Sequence, residues 1–251
     1  MYEEYYEKPK NVINPAETNV RSSSFLSKVY GYMAIGILIT ALVAFGVGFG
    51  FQSWMTANPT AAAYETYLFI LIGSIIGLLV VSIVISIISL RGKHSIIVPA
   101  IIYSVLMGVV FSEFVLFIPF YIIGMAFAIT AMTFAIMYFL SKVIKKNLNW
   151  LGTLGFGLLM GAFLMSAFFF IFYLIAPNLF SWLYVIIDGV FFVAMLFITM
   201  FDVWRIQQIA NKGSQSNNLA LYCAFSLYVD FMYILMRLII ILARIFGTSR
   251  R

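Results

Sequence analysis

Seven long apolar runs separated by short polar breaks set the reading of this chain. They fall at about 29–51, 66–90, 95–118, 121–141, 150–176, 181–202 and 219–246. Each reaches the roughly 20 apolar residues that a bilayer crossing requires. A segment in lipid must satisfy its own backbone hydrogen bonds, so these runs predict helices. Pro119 marks the break between the third and fourth runs, and Pro177–Asn178 the turn after the fifth. The pattern predicts an all-α polytopic membrane protein: a disordered polar tail over 1–28, a seven-helix domain over 29–246 and a short basic tail over 247–251.

Composition supports this class. The chain is 64% hydrophobic and 10% charged, against about 45–50% and 25% for a soluble domain. The first 24 residues are polar and lack the short apolar core of a secretory signal. The net charge of +6 is a topology signal and points to no nucleic-acid partner. Basic residues lie before the first run (Lys8, Lys10, Arg21, Lys28), after the second (Arg91, Lys93), after the fourth (Lys142, Lys145, Lys146) and after the sixth (Arg205, Lys212). The intervening breaks at 52–65, 118–121 and 177–181 contain no lysine or arginine. The positive-inside rule places the N-terminus in the cytoplasm. Seven crossings then put the C-terminus outside, although Arg244, Arg250 and Arg251 favour the cytoplasm. No Gly or Pro interrupts 219–246, which favours a full crossing over a re-entrant path. The single cysteine, Cys223, and the single histidine, His94, leave no disulfide framework and no Cys- or His-rich metal site. No cofactor is expected.

The embedded acids are the chemistry to explain. Asp230 lies within the seventh run, and a carboxylate at such a depth costs about 2.5–3.5 kcal/mol on insertion scales. Asp202 ends the sixth run. Asp230 falls roughly 16 Å into the seventh helix at 1.5 Å per residue, so the two need not be level. If they meet, two carboxylates in low dielectric cannot both ionise cheaply, and they share a proton. Protonated, the pair is latched by a hydrogen bond; deprotonated, it repels. Ionised, it offers oxygens to a hard cation. Calcium takes six to eight oxygens, so two carboxylates with carbonyls and water make a weak transit site for Ca²⁺ as permeant ion. The plainer alternatives are a solvated Asp202 beside Arg205 and an Asp230 hydrogen-bonded to a neighbouring helix.

Arg91, ending the second run on the same side, is the natural counter-charge, or else a snorkelling arginine that sets topology. Asp188, Glu113 and Arg237 lie toward the other side and could line an outer part of an ion pathway; a structural salt bridge of Arg237 with Asp188 or Glu113 is the alternative. Gly73 and Gly77, and Gly157 and Gly161, stand at GxxxG spacing, which predicts close helix packing. No nucleotide loop, HExxH or histidine-paired serine is present, so no enzyme is expected. Two aspartates on consecutive helices also occur in intramembrane aspartyl proteases, but MFDVW and LYVDF lack the flanking glycines of that chemistry.

The segment LALYCAFSLYVDFMYILMRL resembles the last-helix signature of the Bax inhibitor-1 family, and LFITMFDVWRIQQI resembles its sixth helix. The polar tail, the seven runs and the basic loops fit over nearly the whole chain. The resemblance implies six helices around a central seventh, and a pH-sensitive calcium leak gated by aspartates matching Asp202 and Asp230, with Arg91 as latch. Eukaryotic members are tied to suppression of cell death and some bacterial ones to a membrane-protease partner, so a non-conducting regulator of another membrane protein is the second functional reading. Arg237, seven residues after Asp230, and Asp188 depart from the family pattern. A bacterial plasma membrane is the expected location, with the bilayer, protons and Ca²⁺ as partners.

Overall fold

The computed structural model describes residues 15–58, 61–91, 95–144, 146–175, 181–211 and 216–247, without the side chains of 15–21, 61, 90–91, 169–175, 181–185 and 247. The described residues form seven helices and no strand: α1 Pro15–Ala57, α2 Ala61–Arg91, α3 Ile97–Phe117, α4 Phe120–Val143, α5 Asn149–Ile175, α6 Ser181–Asn211 and α7 Asn217–Gly247. Six of them, α1 to α6, carry stretches long and apolar enough to cross a membrane.

The seventh helix, expected as a seventh span, falls outside that count and forms the core. Its Ala220, Cys223, Ala224, Leu227, Phe231, Ile234, Leu238 and Ile239 are all buried. Helices α1, α3, α4 and α6 pack directly on it, while α2 packs chiefly on α3 and α5 on α6. The outer helices turn large apolar side chains outward, such as Phe69 on α2 and Phe156 and Phe163 on α5. Such exposure is unfavourable in water and costs nothing in hydrocarbon. α7 is unbroken over 31 residues, about 46 Å at 1.5 Å per residue.

Local chemistry places the helix ends. Ile118, before Pro119, is extended (φ −116°, ψ 133°), and Pro119 opens α4 at φ −58°. Proline's fixed φ suits a helix start, and its ring keeps the preceding residue out of the helical region.

Two helices run further than their apolar cores. α1 begins at Pro15, so residues 15–28, expected in a disordered tail, belong to the helix. Buried Ser22, Phe25 and Val29 explain this, since their spacing lays one stripe against the bundle. α6 continues from Asp202 to Asn211 because Val203, Ile206 and Ala210 form a second buried stripe.

The glycine expectation fails on most counts. Around Gly73, Gly157 and Gly161 an added Cβ would meet nothing within 4 Å, and at Gly77 it would meet only the Leu106 side chain, at 3.0 Å. Close helix approach occurs at other glycines. A Cβ on Gly108 of α3 would lie 2.6 Å from Val43 Cβ and 2.8 Å from the Thr40 carbonyl of α1. On α5, Gly152 faces the Phe201 ring at 2.8 Å, and Gly155 faces the α6 backbone at 3.1 Å. Spacing alone cannot tell which face of a helix meets a partner and which meets lipid.

Candidate functional site

The extension of α6 decides where the acids fall. Asp202 is nine residues from Asn211, the end of α6, and Ser226 is nine residues from Asn217, the start of α7. Both therefore lie about 14 Å from the α6–α7 connection at 1.5 Å per residue. Asp202 is thus well inside its helix, and the two helices are in register here. Ser226 Oγ donates a short hydrogen bond to Asp202 Oδ2.

Asp230 is one turn deeper on the same face of α7, since residues i and i+4 share a face. It is 5% exposed, and its Oδ2 has no hydrogen-bond partner. Buried polar atoms are almost always paired, so an orphaned carboxylate oxygen in the middle of a bundle calls for an explanation. Asp202 is close enough to act on Asp230 electrostatically. The two acids feel each other's charge; Ser226, one turn before Asp230, bonds Asp202 alone, and no hydrogen bond joins the acids. The plainer reading of Asp230 as a carboxyl satisfied by a neighbouring helix does not hold for Oδ2.

Arg205, one turn after Asp202, is the described cation that acts on that carboxylate. Both line a small cavity of about 50 Å³ with Cys223 and Ser226. Arg91 closes α2, and its side chain lies outside the described residues. Ser226 is the member of this site that the sequence alone did not reveal, whereas Arg205 is read there as the neighbour of Asp202. Ser226 stands four residues before Asp230, and that spacing is the signal that could have found it.

The far end of the α6–α7 pair is an ion cluster. Arg237 Nη1 lies 2.5 Å from Asp188 Oδ1, and Arg244 Nη1 lies 2.5 Å from Asp188 Oδ2. The Arg237 guanidinium also sits 4.7 Å from the centre of the Phe191 ring, a favourable cation–π distance. Asp188 and Arg237 thus form the structural salt bridge that the sequence left open. Glu113 does not join them: it is exposed on α3, and its charge is felt by Tyr67 of α2. Asp188 and Arg237 come together; Glu113 stands apart.

At the level of the acids, Tyr228, between Ser226 and Asp230 in the sequence of α7, belongs to a hydroxyl relay. Thr40 Oγ1 on α1 lies 3.0 Å from the Ser104 carbonyl of α3 and 2.6 Å from the Tyr228 hydroxyl of α7. Threonine has one hydroxyl proton, which goes to a backbone carbonyl, so Tyr228 donates to Thr40. The relay ties three helices at one point. No cluster of three or more His, Cys, Asp or Glu side chains occurs among the described residues.

Comparison with known proteins agrees with this architecture. The family described as "Inhibitor of apoptosis-promoting Bax1" matches residues 22–248. The chain is 30% identical to "Inner membrane protein YbhL" of Escherichia coli (strain K12), over 90% of this chain and 92% of that protein. It is 29% identical to "Uncharacterized protein YrjE" of Lactococcus lactis subsp. lactis (strain IL1403), with the same coverage of each. No solved structure gives a significant match.

Proposed function

Starting from a chain that belongs to the Bax inhibitor-1 family of membrane proteins, we propose that it passes cations, Ca²⁺ foremost, down their gradient under control of a proton shared by Asp202 and Asp230. The observation that carries this reading is the orphaned Oδ2 of Asp230, buried in the central helix beside a second acid. A permanently ionised, unpaired carboxylate there would cost several kcal/mol. A proton on the pair removes that cost. Its loss places two like charges on adjacent helices and drives them apart, which opens a path along the α6–α7 seam.

The oxygens of Asp202, Asp230 and Ser226 supply too few ligands to hold calcium tightly. That suits a transit point, where an ion must leave as readily as it enters. In this reading Arg205, whose charge acts on Asp202, steadies that carboxylate when the pair is closed, and Arg91 at the end of α2 is proposed to join it. The N-terminus lies on the cytoplasmic side in this reading, as the basic loops require.

The test is flux of Ca²⁺ into liposomes that contain only this protein, measured across pH. Wild type should conduct more as pH rises through the titration of the pair. Asn cannot ionise and stands in for the protonated acid, so Asp230→Asn should conduct little at any pH. Wild-type flux that Asp230→Asn leaves unchanged in size and pH dependence removes the pair from the mechanism. No wild-type flux at any pH supports a non-conducting regulator instead.

A further inference from the structure

A second polar feature lies at the bundle end that carries the basic loops. There α1, α4 and α6 enclose a cavity of about 550 Å³. Its polar lining includes the hydroxyls of Ser22, Tyr30 and Ser141, the amides of Gln207 and Asn211, and the ammonium group of Lys142. Among the described residues, no carboxylate and no histidine line it. Apolar helices do not bury such groups without cause, yet Ser22, Ser141 and Gln207 are 9%, 5% and 6% exposed.

The side chains here are prearranged. Ser22 Oγ donates to Asn211 Oδ1 at 3.1 Å, which leaves the Asn211 amide nitrogen as a donor. Gln207 Nε2 donates to the Tyr138 carbonyl at 3.2 Å and keeps a second proton. Lys142 Nζ is held 4.3 Å from the centre of the Tyr138 ring, and neither described salt bridge involves it. The hydroxyl protons of Ser22 and Ser141 are already given to Asn211 Oδ1 and the Tyr138 carbonyl, so the free amide protons of Asn211 and Gln207 and the Lys142 charge converge here, with no carboxylate among the described lining residues.

We propose that this cavity binds a phosphoryl group, presented by an anionic phospholipid or by free phosphate. A phosphate oxygen accepts hydrogen bonds from several donors at once, and its charge complements Lys142. The depth fits a lipid headgroup: Lys142 is in the last turn of α4 and Asn211 ends α6, where spanning helices leave the hydrocarbon. A basic end also faces the more anionic leaflet. The positive charge of Lys142 disfavours a cation here. This site shares no residue with the acid pair, and its failure would leave the gating proposal untouched.

The test uses the full-length protein in a neutral detergent and reads its melting temperature. The probes are short-chain phosphatidylglycerol, short-chain phosphatidylcholine and inorganic phosphate. Phosphatidylglycerol should raise the melting temperature, and phosphatidylcholine should not. Lys142 is exposed, so Lys142→Gln should fold and melt near wild type without lipid. It should bind phosphatidylglycerol about tenfold more weakly, the worth of one charge-assisted hydrogen bond. Lys146→Gln, in the adjoining loop and outside the cavity, should respond as wild type does. A Lys142-dependent rise with inorganic phosphate alone identifies free phosphate as the source. The proposal is overturned by no rise with either anion, by an equal rise with phosphatidylcholine, or by equal losses in the two lysine variants.

Discussion

Gly108→Ala tests the packing of the bundle at its tightest point. The new methyl carbon would sit 2.6 Å from Val43 Cβ and 2.8 Å from the Thr40 carbonyl oxygen. Ordinary contacts begin near 3.4 Å, and neither obstacle is the tip of a flexible side chain. Relief requires α1 and α3 to separate. That separation also strains the bond from Thr40 Oγ1 to the Ser104 carbonyl, which spans the same two helices. Overpacking of this kind costs about 1–3 kcal/mol, and loss of the buried hydrogen bond adds about 1 kcal/mol. Helix propensity opposes this, because Ala is favoured over Gly by about 1 kcal/mol in a helix interior. The net expectation is a destabilisation of about 1–3 kcal/mol. Gly73→Ala supplies the control, since its Cβ meets nothing and only the propensity gain remains. Unfolding in mixed micelles on titration with a denaturing detergent measures both. If Gly108→Ala is as stable as Gly73→Ala, α1 and α3 do not approach as described.

Three further outcomes follow from the same geometry. Tyr228→Phe removes the donor to Thr40, and the same unfolding titration should show a loss of about 1 kcal/mol. Asp188→Ala leaves Arg237 without its carboxylate in a partly buried setting; a loss of about 2 kcal/mol is expected, below the 3–5 kcal/mol of a fully buried pair, and no loss would show the cluster to be ornamental. Ser226→Ala leaves both acids in place but removes the hydroxyl bound to Asp202. Calcium flux in liposomes should then keep a pH dependence with a displaced midpoint; an unmoved midpoint would show that the hydroxyl bound to Asp202 does not act on the pair.

Much of this architecture was legible in the residue pattern. A carboxylate in an apolar run is costly enough to mark Asp230 before any coordinate is seen, and Pro119 forces a break. The overrun of α1 and α6 was harder to read. Both extensions are amphipathic, and hydropathy averages the buried stripes of Phe25 and Val29, or Val203 and Ile206, with polar neighbours. Reading those positions at helical period would have carried α6 to Asn211 and brought Asp202 level with Ser226. The glycines show a different limit. Gly157 and Gly155 look alike in a sequence, and only the position of α6 decides that Gly155 is the contact. Asp188 and Arg237 were candidates for a pathway because each is charged within an apolar run, yet a charge reveals a need for a partner and not which partner meets it.

The length of α1 has a mechanical consequence. Its 43 residues span about 64 Å at 1.5 Å per residue, roughly twice the hydrocarbon thickness. The overhanging turns are stitched to the facing ends of α6 and α7 by Ser22 to Asn211 and by Lys28 to Asn217. Any tilt of the innermost rod therefore swings a lever outside the lipid. A fluorophore at exposed Ser24 would ride on that overhang and report movement of α1 relative to the ends of α6 and α7.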